Sequence, residues 1–254
     1  MTSTATLPLL LKQLGLPAML QHWEDEANQA KDKHLTYAEY LSTLSNLEVS
    51  HRRQKRIARH IKESKLPPGK TLDSFDFKVA TSIHAAQITA LADNTSWINQ
   101  GQNLIMFGPS GVGKTHLVSA IAYRLIEQGI RTLFMSTTAL VQKLQLARKE
   151  YKLADVISKL SRIPLLVLDD IGDVKKSEAE TSVLFELIAD RYENKSLIIT
   201  SNQPFSEWDQ IFPDNVMAVA AIDRLVHHST IINVTDKSYR SKQSEQKAKH
   251  KNNL

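Results

Sequence analysis

NLIMFGPSGVGKTHL, Asn103 to Leu117, decides how the rest of this chain is read. A short apolar run, Leu104 to Phe107, leads into Gly108, Pro109, Ser110, Gly111, Val112, Gly113, Lys114 and Thr115, which match G-x-x-x-x-G-K-[ST]. Helical periodicity follows from Thr115 to Gln128, and Gly129 closes it. Strand, loop and helix are the context the motif requires. Its glycines let backbone N–H groups converge on phosphate oxygens, the helix N-terminus adds partial positive charge, and Lys114 adds a full charge at the β/γ-phosphates. Thr115 offers its hydroxyl to Mg²⁺, an ion that takes few protein ligands and bridges phosphate oxygens. Glycine is otherwise scarce, 8 residues in 254, about 3% against roughly 7% in typical proteins, and three of the eight fall between Gly108 and Gly113.

Four more apolar runs follow: TLFMS (Thr132 to Ser136), PLLVLDD (Pro164 to Asp170), SLIITS (Ser196 to Ser201) and TIINV (Thr230 to Val234), with helical segments between them. Five such strands with helical crossovers predict an α/β fold, a parallel sheet covered on both faces. LLVLDD ends in two carboxylates beside the phosphate loop. Asp169 reads as the direct or outer-shell magnesium partner and Asp170 as the group that polarises the attacking water, with a helix cap or turn as the plain alternative. Asn202, after SLIITS, either orients that water or senses the γ-phosphate, or is an ordinary turn residue. A strand and helix separate the loop strand from the carboxylate strand, unlike simple nucleotide kinases. The guanine-reading N-K-x-D of GTPases is missing, since Asn194-Lys195-Ser196-Leu197 precedes a strand instead of following one.

Residues 1–70 read as an all-helical domain, 71–236 as the nucleotide-binding domain and 237–254 as a basic tail. Leu9, Leu10, Leu14, Leu16, Met19 and Leu20 are spaced for one apolar helix face. Thr36 with Glu39 forms a capping box, after which Tyr37, Tyr40, Leu41, Leu44 and Leu47 predict a buried stripe. The helix continues through the basic segment until Pro67, Pro68 and Gly69 stop it.

The formal net charge is +5, but HRRQKRIARHIKESKLPPGK, His51 to Lys70, carries +7 and Lys237 to Leu254 carries +5, which leaves −7 for everything else. Two local basic surfaces suit a polyanion, with nucleic acid first among them. Candidate DNA contacts are Arg52, Arg53, Lys55, Arg56, Arg59 and Lys62 on a helix face and Arg240 in the tail; a solvated helix face and a frayed tail are the bland readings. With no cysteine, disulfides, thiolate metal sites and catalytic cysteines are excluded. The N-terminus lacks a basic n-region and a clear cleavage site, and no apolar stretch reaches the 18 or so residues a membrane span needs. A cytoplasmic protein without membrane association is expected. His227 and His228 have no third metal ligand at suitable spacing, and His116 reads as a packing residue at the helix start.

The chain resembles the AAA+ ATPases of the IstB type, the ATP-binding helpers of two-gene insertion sequences, close relatives of the helicase loaders DnaC and DnaI. LPPGKTLDSFDF (Leu66 to Phe77), the phosphate loop, LLVLDDIG, LFELIADRY, IITSN, AIDRL and SYR (Ser238 to Arg240) carry the similarity over nearly the whole chain. The first of these stretches and the helical N-terminal module favour IstB over the loaders. The resemblance implies a P-loop NTPase of the AAA+ type that binds ATP and Mg²⁺, hydrolyses ATP slowly with stimulation by DNA or a partner, and assembles on duplex DNA through ATP-bridged interfaces to recruit a partner transposase. It places Arg224, in AIDRL, as an arginine finger reaching a neighbouring subunit's γ-phosphate. Arg191, in DRY, would face that nucleotide or hold the subunit interface. Asp170 stands where many relatives carry Glu, and the few residues after the last strand leave no room for the usual helical lid. A helicase loader that prefers single strands, a P-loop small-molecule or nucleotide kinase and a nucleotide-gated scaffold are the competing readings.

Overall fold

The computed structural model describes residues 4–172, 177–204, 207–208, 215–236 and 238. The chain divides into two compact units, 1–59 and 60–254, with the division inside one long helix.

In the first unit, the helix expected from Leu9 onward is two. α1 (Leu7–Gln13) and α2 (Pro17–Asp32) are separated by Gly15 in the left-handed region at φ 66°. That break removes the continuous apolar face: Leu9 and Leu14 are exposed, while Leu11 and Ala18 are buried. α3 (Tyr37–Ser64) begins at the expected capping box, where Thr36 N–H donates to Glu39 Oε2 at 2.7 Å and Glu39 N–H donates to the Thr36 hydroxyl at 3.3 Å. The predicted stripe is corrected too, because Tyr37 is 94% exposed and Leu41 59%, whereas Leu44 and Glu48 are the buried positions.

Glu48 explains that register. From α3 its carboxylate accepts the N–H groups of Ala18 at 2.9 Å and Met19 at 3.4 Å, orphan donors in the first turn of α2, and the Arg52 Nε–H at 2.8 Å. Arg52 also donates to the Gly15 carbonyl at 2.9 Å. Burial would raise the Glu48 pKa, but the Arg52 guanidinium and the two N–H groups outweigh it and hold the carboxyl below its usual range.

The second unit is built on a five-stranded sheet, β1 (Asn103–Phe107), β2 (Thr132–Ser136), β3 (Leu165–Asp169), β4 (Ser196–Ser201) and β5 (Ser229–Asn233), in the order β2-β3-β4-β1-β5 with every pair parallel. α4 (Ala85–Asp93) and α5 (Ser96–Asn99) precede it. α6 (Lys114–Glu127), the pair α7 (Thr137–Lys149) and α8 (Leu153–Ser161), α9 (Glu178–Arg191) and α10 (Asn215–Val226) connect its strands. β1 and β3 are apolar almost throughout and nearly fully buried, and β4 is buried along its whole length around the apolar run Leu197 to Ile199, as strands covered on both faces must be. No described helix is long and apolar enough to cross a membrane.

Arg191 ends α9 inside this core, 1% exposed. Its guanidinium donates to the carbonyls of Leu160, Ile163, Pro164 and Ser196 at 2.8 to 3.1 Å and ties the α8–β3 connection to the start of β4. Burial pushes its pKa down to about 10, partly opposed by Asp190, so it stays charged at neutral pH. Expected to face a neighbouring subunit's nucleotide or to hold the subunit interface, Arg191 is instead buried in this chain, with its guanidinium clamped on four carbonyls of its own core.

Two stability predictions follow from these contacts. Arg191→Met removes all four guanidinium bonds from the core and costs about 3 kcal/mol or more, read as a lower urea midpoint by tryptophan fluorescence. Glu48 has a folded pKa below its unfolded value, so its contribution is present above that unfolded value and lost as pH falls through the folded one. Glu48→Gln should therefore melt about 5 °C lower than the parent chain at pH 7, with the gap closing toward pH 3, followed by circular dichroism.

Candidate functional site

At the carboxyl edge of the sheet, a cavity of about 630 Å³ opens between the loop after β1, the ends of β3 and β4, and the segment Pro67 to Ala80. The loop needs its glycines: Gly108, Gly111 and Gly113 have φ of 146°, 83° and 103°. A Cβ on Gly108 would lie 2.2 Å from the Val234 carbonyl oxygen, and one on Gly113 would lie 2.9 Å from the Phe75 ring. Lys114, the first residue of α6, is buried and donates to the carbonyls of Gly108 at 2.6 Å and Pro109 at 2.9 Å, which sets its ammonium under the loop.

Asp169 comes from β3, which β4 separates from β1. The carboxylate accepts the Thr115 hydroxyl at 3.0 Å on both oxygens and the Thr200 hydroxyl at 2.7 Å. The same Thr200 oxygen accepts the Asp170 N–H at 2.8 Å. One β4 hydroxyl thus orients both aspartates. Asp170 takes the left-handed conformation, φ 63°, at the cavity wall. The convergence of Thr115 with Asp169 provides hard oxygen donors beside a phosphate loop, the donor set that suits Mg²⁺.

Asn202 lies elsewhere. It is exposed, does not line the cavity, and its Oδ1 would be 2.7 Å from a Cβ on Gly172. β4 ends at Ser201, so the turn carries Asn202 away while Thr200, still in the strand, faces the site. Sequence reading missed Thr200, although a hydroxyl two residues before the strand-end Asn was its visible trace.

The stretch LPPGKTLDSFDF walls the cavity opposite the sheet. Phe75 stands edge-on to His116, at 5.1 Å between ring centroids, and His116 Nε2 lies 2.9 Å from the Thr71 carbonyl and 3.1 Å from the Ser74 hydroxyl. His116 is therefore the packing residue expected, with the partners now named. Asp236, just past β5, accepts from the Thr81 hydroxyl and from the Ser82 N–H and hydroxyl, which closes the wall against the sheet. Those hydroxyl and N–H donors hold its carboxyl below the usual range, although burial alone would raise it.

Arg224 lies on α10, away from its own cavity, with its guanidinium 5.0 Å over the Phe185 ring and a bond to the Ala220 carbonyl. Arg52, Arg53, Lys55, Arg56, Arg59 and Lys62 are all exposed along α3, Arg52 being also tied to Glu48. Arg240 lies outside the described residues.

The profile of the family described as IstB-like ATP binding protein matches residues 9–247. An insertion sequence ATP-binding protein of Sinorhizobium fredii is 47% identical over 97% of this chain and 83% of its own length. The insertion sequence IS21 ATP-binding protein of Pseudomonas aeruginosa is 37% identical over 93% of this chain and 89% of its own. Among solved structures, the DnaC helicase loader superposes with a TM-score of 0.58 at 24% identity, over 66% of this chain and 97% of that one. AMPPCP-bound DnaA from Aquifex aeolicus gives 0.56 at 19%, over 73% and 56%. These two establish the P-loop AAA+ fold. With the family profile spanning almost its full length and a relative at 47% identity, the chain belongs to the IstB-like ATP-binding proteins of insertion sequences.

Proposed function

We propose that this protein hydrolyses ATP with Mg²⁺, self-associates through ATP-bridged interfaces on duplex DNA, and directs a partner transposase to a target site. The observation that carries the reading is the triad of Thr115, Asp169 and Thr200, which joins the phosphate loop to the carboxylate strand. Backbone N–H groups of residues 110–115 and the N-terminus of α6 receive the β- and γ-phosphates, and Lys114 turns from loop carbonyls to phosphate oxygens. Thr115 and Asp169 would hold the Mg²⁺, which when bound would supply positive charge against the phosphoryl oxygens. Asp170 accepts the proton of the water whose oxygen forms the new bond to the γ-phosphorus, as the bond to the ADP oxygen breaks. Arg224 lies half-buried on α10 outside its own cavity, a placement suited to completing a neighbour's site as an arginine finger once its guanidinium leaves the Phe185 ring.

The exposed basic face of α3 supports DNA binding, with residues 1–70 as the DNA- or partner-binding domain and the 237–254 tail as a second contact. The membership in an insertion-sequence family favours the transposition reading over the helicase loader and the kinase. Preference for single-stranded over duplex DNA would favour the loader, and turnover that requires an acceptor molecule and ignores DNA would favour the kinase.

Lys114→Ala should weaken ATP binding about tenfold or more and abolish ATP-dependent assembly on duplex DNA in sedimentation. Unchanged assembly overturns nucleotide-driven association. Thr200→Val should retain ATP binding yet slow phosphate release about 10- to 100-fold, since both aspartates lose their common partner. Arg224→Ala should also bind ATP while losing turnover or higher-order assembly. The triple change Lys55→Glu, Arg56→Glu and Arg59→Glu should weaken DNA binding and flatten its dependence on salt, as fewer counterions are released.

A further inference from the structure

We propose that Glu193, His227 and His228 form a binding site for one divalent transition-metal ion, with Zn²⁺ as the expected occupant. The fold supplies the third ligand that local spacing around the histidine pair lacks. His227 and His228 occupy the turn between α10 and β5, and Glu193 the turn between α9 and β4. One ligand atom from each lies within 4.8 Å of the others, and His228 Nε2 is 3.6 Å from Glu193 Oε1. The two imidazole rings sit 4.0 Å apart between centroids.

Three observations show that the two turns are held in place rather than meeting by chance. Buried Asn103, at the start of β1, donates its N–H to the His228 carbonyl at 2.7 Å and its amide to the Leu225 carbonyl at 3.2 Å. Its Oδ1 accepts the Leu197 N–H at 2.9 Å. Gly101, at φ 67°, lets the Glu193 backbone approach so closely that a Cβ there would lie 2.8 Å from the Glu193 carbonyl carbon. Tyr192 Oη lies 2.8 Å from His227 Nδ1. With Nδ1–H donating to that phenol oxygen, His227 Nε2 presents its lone pair, the arrangement by which a ligating imidazole is oriented through its second nitrogen.

Two imidazoles and a carboxylate favour Zn²⁺ over Mg²⁺ or Ca²⁺, which prefer oxygen alone, and leave a fourth position for water. Tetrahedral zinc bonds of about 2.0–2.1 Å bring ligand atoms to about 3.4 Å from one another, a closure within reach of exposed side-chain rotations. The bound ion would cross-link the ends of α9 and α10, the helix pair on which Phe185 and Arg224 make their contact. This site lies at the amino edge of the sheet, and its metal chemistry stands independently of the proposed ATPase.

The test is a Zn²⁺ titration of the full chain without a histidine tag, in competition with a chromophoric chelator, alongside Co²⁺ absorption spectra. One ion per chain and a tetrahedral Co²⁺ spectrum are expected, together with a metal-dependent rise in melting temperature. His227→Ala, His228→Ala and Glu193→Gln should each weaken Zn²⁺ about tenfold or more, and Tyr192→Phe about tenfold with the stoichiometry kept. All four should bind ATP and melt in the absence of metal like the parent chain, which separates ligand loss from misfolding. No saturable Zn²⁺ binding, or binding unchanged in the double variant His227→Ala/His228→Ala, overturns the proposal.

Discussion

The Thr200 hydroxyl joins the two halves of the phosphate site. A parallel sheet in the order β2-β3-β4-β1-β5 leaves one strand, β4, between the carboxylate strand and the phosphate-loop strand, so Asp169 reaches Thr115 across the end of β4. Thr200 occupies that gap, its hydroxyl donating a hydrogen bond to Asp169 and accepting the Asp170 N–H. One side chain thereby sets the position of a metal-binding carboxylate and the backbone of the residue proposed as base. The rest of the cavity is arranged around this point.

The other wall is made by a segment with little regular secondary structure, Pro67 to Ala80, held by specific contacts at both ends. Phe75 packs against the backbone at Gly113, His116 engages Thr71 and Ser74, and Asp236 anchors Thr81 and Ser82 to the end of β5. The last link couples the outer wall to the central sheet. A change in the separation of these elements would alter the cavity directly, since each contributes lining residues.

Much of this was legible in the linear order of residues where the determinants are local. The five strands, the glycine loop, the Thr36–Glu39 capping box and the end of α6 at Gly129 all came from short-range patterns, because strand apolarity, left-handed glycine and capping hydrogen bonds involve neighbours in the chain. Periodicity failed in the helical unit for a physical reason. Spacing identifies an apolar face but not the partner that covers it, and the contact between α2 and α3 was settled by Glu48 meeting orphan N–H groups, not by Tyr37 or Leu41.

The sequence by itself determined the phosphate loop, the order of strands and helices, the paired aspartates and the family. It also located positive charge in two segments. Only the tertiary structure decided that Thr200, not Asn202, faces the cavity, that Arg191 clamps four carbonyls inside the core, and that Glu193 approaches His227 and His228. Each of these depends on which strands lie side by side and where a turn directs its side chain. That information is set by the packing of residues far apart in the chain, and no local pattern carries it.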